Sequence, residues 1–199
     1  MSQQQQQVWG NPAGWALFAV AVLTACVGVF YAGLVPKSTA PLLIGILLAC
    51  SLPQLIGAII CFRRGETLFA SIAGLFGTVI TLGAAFTLYQ LAIQAPAPGA
   101  FTPEVMGVFW ISLFVIAEIL AIGFGHAPYT GFISAGIAEV GVSFLFLGIN
   151  ALTGSPVAGA IAGYLLIIFS AFCIYSAAAI VLGEHFQRPV LPLGRPIFK

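Results

Sequence analysis

The sequence predicts an all-α membrane protein with six transmembrane helices and both termini in the cytoplasm. Three observations predict it. Hydrophobic residues form 61% of the chain and charged ones 6%, with a mean hydropathy of +1.13, a composition that no soluble domain of this length needs for its core. Apolar runs of about 20 residues, the length that a bilayer requires, recur between breaks of Pro, Gly and polar residues. Basic residues gather as Arg63 and Arg64 after the second run and as Arg188, Arg195 and Lys199 after the sixth, while Lys37 alone follows the first. Because Lys and Arg prefer cytoplasmic loops, this distribution puts both tails inside a plasma (cell inner) membrane that the chain crosses several times.

The elements follow in order. Residues 1–10 are a polar tail with five consecutive Gln, too polar to bury and expected to be disordered. The tail is uncharged and the run behind it is long enough to span, so the first helix is read as retained and not as a signal peptide. At Gly10-Asn11-Pro12-Ala13-Gly14-Trp15 the tail stops and the helix starts. Asn11 can cap it through its side-chain oxygen, and Pro12 suits the first turn, where its missing N–H would be unpaired anyway. A helix start at a membrane offers unpaired N–H groups and a positive dipole end to an anion. The apolar runs are Trp15 to Leu34, Pro41 to Phe62, Leu68 to Ile93, Pro103 to Gly125, Tyr129 to Leu152 and Val157 to Gly183. Short loops make sequence neighbours antiparallel, so residues 11–188 form one six-helix transmembrane domain and 189–199 a cytoplasmic C-terminal tail. Pro53 beside Gln54 predicts a kink in the second helix that frees backbone groups. Small residues at four-residue spacing, Ala73, Gly77, Thr81 and Ala85 or Gly159 and Gly163, predict faces where helix backbones meet closely.

Several function classes drop out. A net charge of +1 with scattered basic residues gives no patch for nucleic acid. Cys26, Cys50, Cys61 and Cys173 each stand alone in an apolar run, which argues against structural zinc, any other metal or a disulfide framework. No nucleophile, base and metal ligands gather at depth, so no catalytic residues, no cofactor and no enzyme activity are expected.

The informative residues are the polar ones inside the spans. Glu118 lies about seven residues from the inner end of the fourth run and Glu139 about ten from the inner end of the fifth, so at about 1.5 Å per residue both sit within the hydrocarbon. No Lys or Arg occupies any span, and neither carboxyl has a basic partner. Each is a candidate proton-coupling site; the structural alternative is a neutral carboxyl hydrogen-bonded to a neighbouring helix. Ser143, Phe146 and Asn150 follow Glu139 at four, seven and eleven residues and give the fifth helix a polar stripe that should face the bundle interior. Ser71 and Thr78 make a weaker polar face on the third helix, where hydroxyls can also bond their own backbone. Tyr164 and Tyr175 share a face of the sixth, best read as interhelical packing.

Three stretches together resemble the acetate uptake transporter family, which includes the bacterial succinate–acetate permeases. They are Asn11-Pro12-Ala13, then Gln54 through Gly57 to Arg63-Arg64-Gly65-Glu66-Thr67, and then Glu184 through Phe186 and Arg188 to Leu191-Pro192-Leu193-Gly194. The resemblance covers nearly the whole chain. It implies a six-helix protomer, usually hexameric, with its own path for acetate and related small carboxylates through membrane lipid. Asn11 matches the first residue of the family's Asn-Pro-Ala-Pro-Leu-Gly motif and Gln54 a glutamine of the second helix, so the resemblance puts both on the substrate path. With them stand Ser71, Thr78, Ser143 and Asn150 from the polar faces. The family narrows its path with bulky apolar side chains, which align with Val20, Phe76 and Val140. Phe, Tyr and Leu are common there, so this chain is expected to have a wider constriction without the tyrosine hydroxyl. Gly14-Trp15-Ala16 replaces Pro-Leu-Gly, and Cys61 stands where an acidic residue is common.

The function these readings predict is a transporter or channel for acetate and related short carboxylates, with proton coupling at Glu139 and Glu118 as a further possibility. Two alternatives remain beside it: a channel for small neutral solutes such as urea or short amides, and a non-transporting membrane assembly protein.

Overall fold

A computed structural model describes residues 10–94, 102–127 and 130–198. The predicted disorder of residues 1–9 and the predicted start of the fifth span at Tyr129 lie outside the described residues. Among the described residues six helices are long and apolar enough to cross a membrane: α1 Ala13–Tyr31, α2 Ala40–Arg64, α3 Thr67–Gln94, α4 Pro103–His126, α5 Gly131–Thr153 and α6 Pro156–Phe186. A 3-10 turn, Lys37–Thr39, leads into α2. The helices alternate in direction, so Gly10 and Phe198 share one end of the bundle, called here the tail end.

Start and stop signals explain the boundaries. Asn11 Oδ1 accepts the Ala13 N–H at 2.9 Å, and the Pro12 carbonyl accepts the first helical N–H, from Ala16, at 3.0 Å. Pro12 therefore takes the cap position, one residue later than the Asn11 cap expected, while Asn11 still satisfies an N–H group that the helix leaves unpaired. Gly65 (φ +79°) and Gly154 (φ +66°) end α2 and α5 in the left-handed conformation that glycine adopts without a Cβ clash. Ser155 caps α6 by accepting the Ala158 N–H at 3.3 Å, with Pro156 at the first helical position.

In lipid, close packing holds helices together. α1 lies along α6, and α4 along α5. A Cβ on Gly28 of α1 would stand 2.8 Å from the Gly163 carbonyl oxygen of α6, so only glycine lets these backbones meet. The Ser170 hydroxyl donates to the Ala21 carbonyl at 2.8 Å across the same pair, and the Ser134 hydroxyl to the Ala121 carbonyl at 2.7 Å between α5 and α4. Large apolar side chains such as Leu42, Leu52, Phe86, Val105 and Ile119 remain exposed on the outside, as a lipid-facing surface requires.

α3 is not a uniform α-helix. Phe76–Leu82 and Gln90–Gln94 are wound as π-helix, a form found mostly in short insertions. The first π stretch faces the Pro53 turn of α2. A Cβ on Gly77 would lie 2.9 Å from Gln54 Cβ and 3.0 Å from the Leu55 nitrogen, so the two irregular turns nest against each other.

Beyond Gln187 the chain folds back over the tail end. The Leu193 carbonyl accepts the Phe132 N–H at 2.9 Å, and the Gly125 carbonyl accepts from Ile197 and Phe198 at 2.9 and 3.0 Å. Tyr175 donates its hydroxyl to the Pro192 carbonyl at 2.9 Å. The tail thus satisfies backbone groups at the last turn of α4 and the first turn of α5, where a helix cannot satisfy its own.

Candidate functional site

A cavity of about 50 Å³ opens among the tail-end halves of the helices. A water needs about 10–15 Å³ on the same measure, so the space suits a few water-sized groups or one very small organic solute. Every helix contributes to its wall: Ala13, Ala16, Leu17 and Val20 from α1, Gly57 and Cys61 from α2, Phe69, Ile72, Ala73 and Phe76 from α3, Phe124 from α4, Ile133, Gly136 and Ile137 from α5, and Phe169, Phe172, Cys173 and Ser176 from α6. Small residues make the room. A Cβ on Gly57 would already lie 3.1 Å from Ala16 Cβ, so the start of α1 sits hard against α2 beside the cavity.

The lining is almost wholly apolar and carries no charged side chain. Its polar groups are the Ser176 hydroxyl and the thiols of Cys61 and Cys173. Cys61 marks the rim, where its thiol donates to Glu66 Oε2 at 3.6 Å while Arg64 Nε donates to Glu66 Oε1 at 2.7 Å. Ionic groups are therefore at the entrance, and a solute that goes further loses its water.

The cavity stops at Val20, Phe76 and Phe169, about halfway through the bundle. From there an aromatic column continues away from the tail end. Phe76 lies 6.1 Å from Phe169 and 5.9 Å from Phe144 between ring centroids, and Phe144 stacks on Trp110 at 5.7 Å. Phe144 is 2% and Trp110 8% exposed, so this half of the interior is filled with rings.

No family model matches the chain. A protein of Methanothermobacter thermautotrophicus described as uncharacterised is 26% identical over 194 residues, which cover 92% of this chain and 90% of that protein. The solved structure of the bacterial acetate channel SatP is similar with a TM-score of 0.82 and 21% sequence identity, over 94% of this chain and 100% of that one. The chain has the fold of that acetate channel. The six-helix, all-α architecture expected from composition is thereby seen twice, in this chain and in a solved relative of its fold.

Within this fold the residues singled out from the sequence fall into three groups. Val20 and Phe76 line the cavity at its closed end, while Val140 lies behind the lining, completely buried. Asn11 is at the rim, holding the first turn whose Ala13 forms part of the wall. The remaining polar residues do not line this cavity. Gln54 is completely buried between α2 and the π stretch of α3; its amide donates to the Cys50 carbonyl at 2.7 Å and weakly to Thr81 Oγ1 at 3.5 Å, and Oε1 has no partner among the described residues. Thr78 donates to its own helix at the Gly74 carbonyl, 2.7 Å away, and Ser143 reaches the Glu139 carbonyl at 3.5 Å. Asn150 donates to the Ser155 carbonyl at 2.7 Å and ties the α5–α6 turn. Ser71 is half-buried on the side of α3 away from the lining.

Both carboxyl oxygens of Glu139 and one of Glu118 are buried without a hydrogen-bond partner among the described residues. Glu118 Oε1 points at Gly141 of α5, where a Cβ would collide with it. The two side chains occupy different seams, because Glu139 is two residues from Gly141 and so projects from nearly the opposite side of α5. Neither touches the cavity.

Sequence reasoning missed Phe144, Phe169 and Trp110. Each belongs to an apolar run with several large side chains, and nothing in the run says which ring points inward. Ser176 carried no signal of its own, because α6 also bears the hydroxyls of Tyr164, Ser170 and Tyr175 and the helical period alone does not say which of them faces the cavity.

Proposed function

We propose that this protein is a membrane channel or transporter for acetate and related short carboxylates. One observation carries the reading: a cavity sized for a very small solute occupies one half of a bundle that shares its fold with an acetate channel. The start of α1 attracts the anion to the rim, because its N–H groups and dipole end face the side where the cavity opens. Beyond the rim an apolar, charge-free wall disfavours an ion, and the barrier is lowest for a carboxylate that is neutralised or hydrogen-bonded on its way.

Glu139 is the proton carrier in this reading. An ionised carboxyl without partners in lipid is costly, and its two unpartnered oxygens are what a group that takes and releases a proton would show. Both tails face the cytoplasm of a cell-membrane protein that works as a homo-oligomer, a hexamer by the family resemblance. The orientation is tested with a cysteine placed beside Arg63, which should label only from the cytoplasmic side; labelling from outside intact cells would reverse it.

A second reading has one supporting observation. The absence of charge along the lining suits a neutral solute such as urea equally well. Competition separates the two: in proteoliposomes, excess urea should leave labelled acetate uptake unchanged, and urea flux equal to that of protein-free vesicles accompanies the carboxylate reading. Urea flux well above lipid with acetate at the lipid level would replace it.

A further inference from the structure

The C-terminal tail carries a motif that the cavity alone leaves unexplained. Gln187 (φ +53°) ends α6 and turns the chain back, and Leu191-Pro192-Leu193-Gly194 then crosses the tail end of the bundle. Three of these four residues make a defined contact. The Pro192 carbonyl accepts the Tyr175 hydroxyl at 2.9 Å. The Leu193 carbonyl accepts the Phe132 N–H at 2.9 Å, and the Leu193 side chain packs on the main apolar core. Gly194 passes so close to α5 that a Cβ on it would lie 3.4 Å from the Phe132 nitrogen.

These contacts converge on one lining residue. Phe132 stacks on Phe172 of α6 with ring centroids 4.4 Å apart and 30° between planes, and Tyr175 leans on Phe132 at 4.8 Å. Phe172 lines the cavity. It rests on α5 at Gly136, one turn from Phe132, where a Cβ would lie 3.0 Å from its ring. Phe172 and Phe132 are both half-buried, so neither has the complete enclosure that fixes a ring in a close-packed core. What holds the pair from the open side is the tail.

We propose that Phe172 is a specificity-determining residue of the path and that the tail is the strap that positions it: through Tyr175 and Phe132, residues 191–194 hold the ring against Gly136 and keep the side wall of the cavity closed to solutes wider than acetate. This rests on the carboxylate reading above. Gly136 supplies no side chain, so a ring that leaves it extends the cavity into the seam between α5 and α6, and the width of a path sets which solutes pass. Tyr175 and Leu193 are not part of the lining; they are positioning residues that act through Phe172.

Two full-length variants loosen the strap. Tyr175→Phe keeps the ring and removes the hydroxyl, and Leu193→Ser removes the side chain packed on the core. Cys173 follows Phe172 in the chain, lines the same wall and is 2% exposed, so it reports opening without any transported solute. Its reaction with methyl methanethiosulfonate is read by peptide mass in the detergent-solubilised protein. The rate should rise about threefold in Tyr175→Phe, as for losing one partly exposed hydrogen bond, and about tenfold in Leu193→Ser, as for truncating a half-buried leucine. In proteoliposomes the butyrate-to-acetate flux ratio should rise in the same order. Because the strap acts through Phe172, adding Tyr175→Phe to Phe172→Leu should change neither rate nor ratio further, a non-additivity that a separate structural role for Tyr175 does not produce. Parental Cys173 reactivity in both strap variants, or the full Tyr175→Phe increase in the Phe172→Leu background, would overturn the assignment. If the parent protein passes no carboxylate above the lipid background, the carboxylate reading itself fails. The Cys173 rates then still decide whether the strap holds the wall.

Discussion

Replacing Phe76 asks whether the closed end of the cavity is the restriction that the solute meets. Phe76 is 4% exposed, lines the cavity, and holds Phe144 and Phe169 at 5.9 and 6.1 Å between ring centroids. Emptying such a site by Phe76→Ala costs about 3–5 kcal/mol. Phe76→Leu keeps most of the volume and loses chiefly the two ring pairs, worth roughly 0.5–1.5 kcal/mol each. Thermal stability of the detergent-solubilised protein should therefore fall in the order parent, Leu, Ala. Flux should move the other way for large solutes. With the floor removed, the butyrate-to-acetate ratio in proteoliposomes should rise in Ala, and rise less in Leu, because width at the narrowest point sets selectivity. A loss of stability with an unchanged ratio in both variants would refute the reasoning and leave Phe76 as a packing residue.

Other predictions follow from the same geometry. Val20→Phe puts a ring into the closed end of the cavity and should slow butyrate more than acetate. Val140→Leu, behind the wall at a completely buried position, should instead lower thermal stability by an overpacking cost of about 1–3 kcal/mol with little change in the flux ratio; equal effects of the two on flux would contradict the placement. Glu139→Gln keeps shape and removes the titration, so the pH dependence of transporter-specific acetate uptake should flatten, with Glu118→Gln doing less. A Glu139→Gln profile that overlays the parent would make Glu139 structural. Gly131→Ala places a methyl against the Arg195 carbonyl and should release the tail, seen as faster hydrogen exchange of the Phe132, Ile197 and Phe198 amides that hold it; unchanged exchange would mean that the tail stays docked by other contacts.

The spans were legible because a bilayer sets length and polarity together. Each apolar run found its helix within a few residues, and Gly65, Gly154 and Pro156 mark ends that their backbone chemistry requires. The close approach of α1 and α6 was legible in part: Gly163 was marked as a packing face, whereas its partner Gly28 lies in a run with no spacing to single it out. The winding of α3 was not legible. Phe76–Leu82 is an ordinary apolar stretch, and only its neighbour across the seam, Pro53 with Gln54, carries a signal of irregularity. The polar residues named from the sequence do not line the cavity. Hydroxyls and amides in helices can turn back on backbone carbonyls, as Thr78, Ser143 and Asn150 do, and the helical period alone cannot tell that from facing a solute. The cavity itself depends on which of many apolar side chains converge from six helices, a property of packing that no single run contains.

The central claim is tested most directly by acetate flux into proteoliposomes, measured with and without an inward-directed pH gradient and corrected for protein-free liposomes. The account predicts protein-dependent flux at equal pH on both sides that increases when the entry side is made more acidic. Flux no greater than that of the bare lipid under both conditions would contradict it.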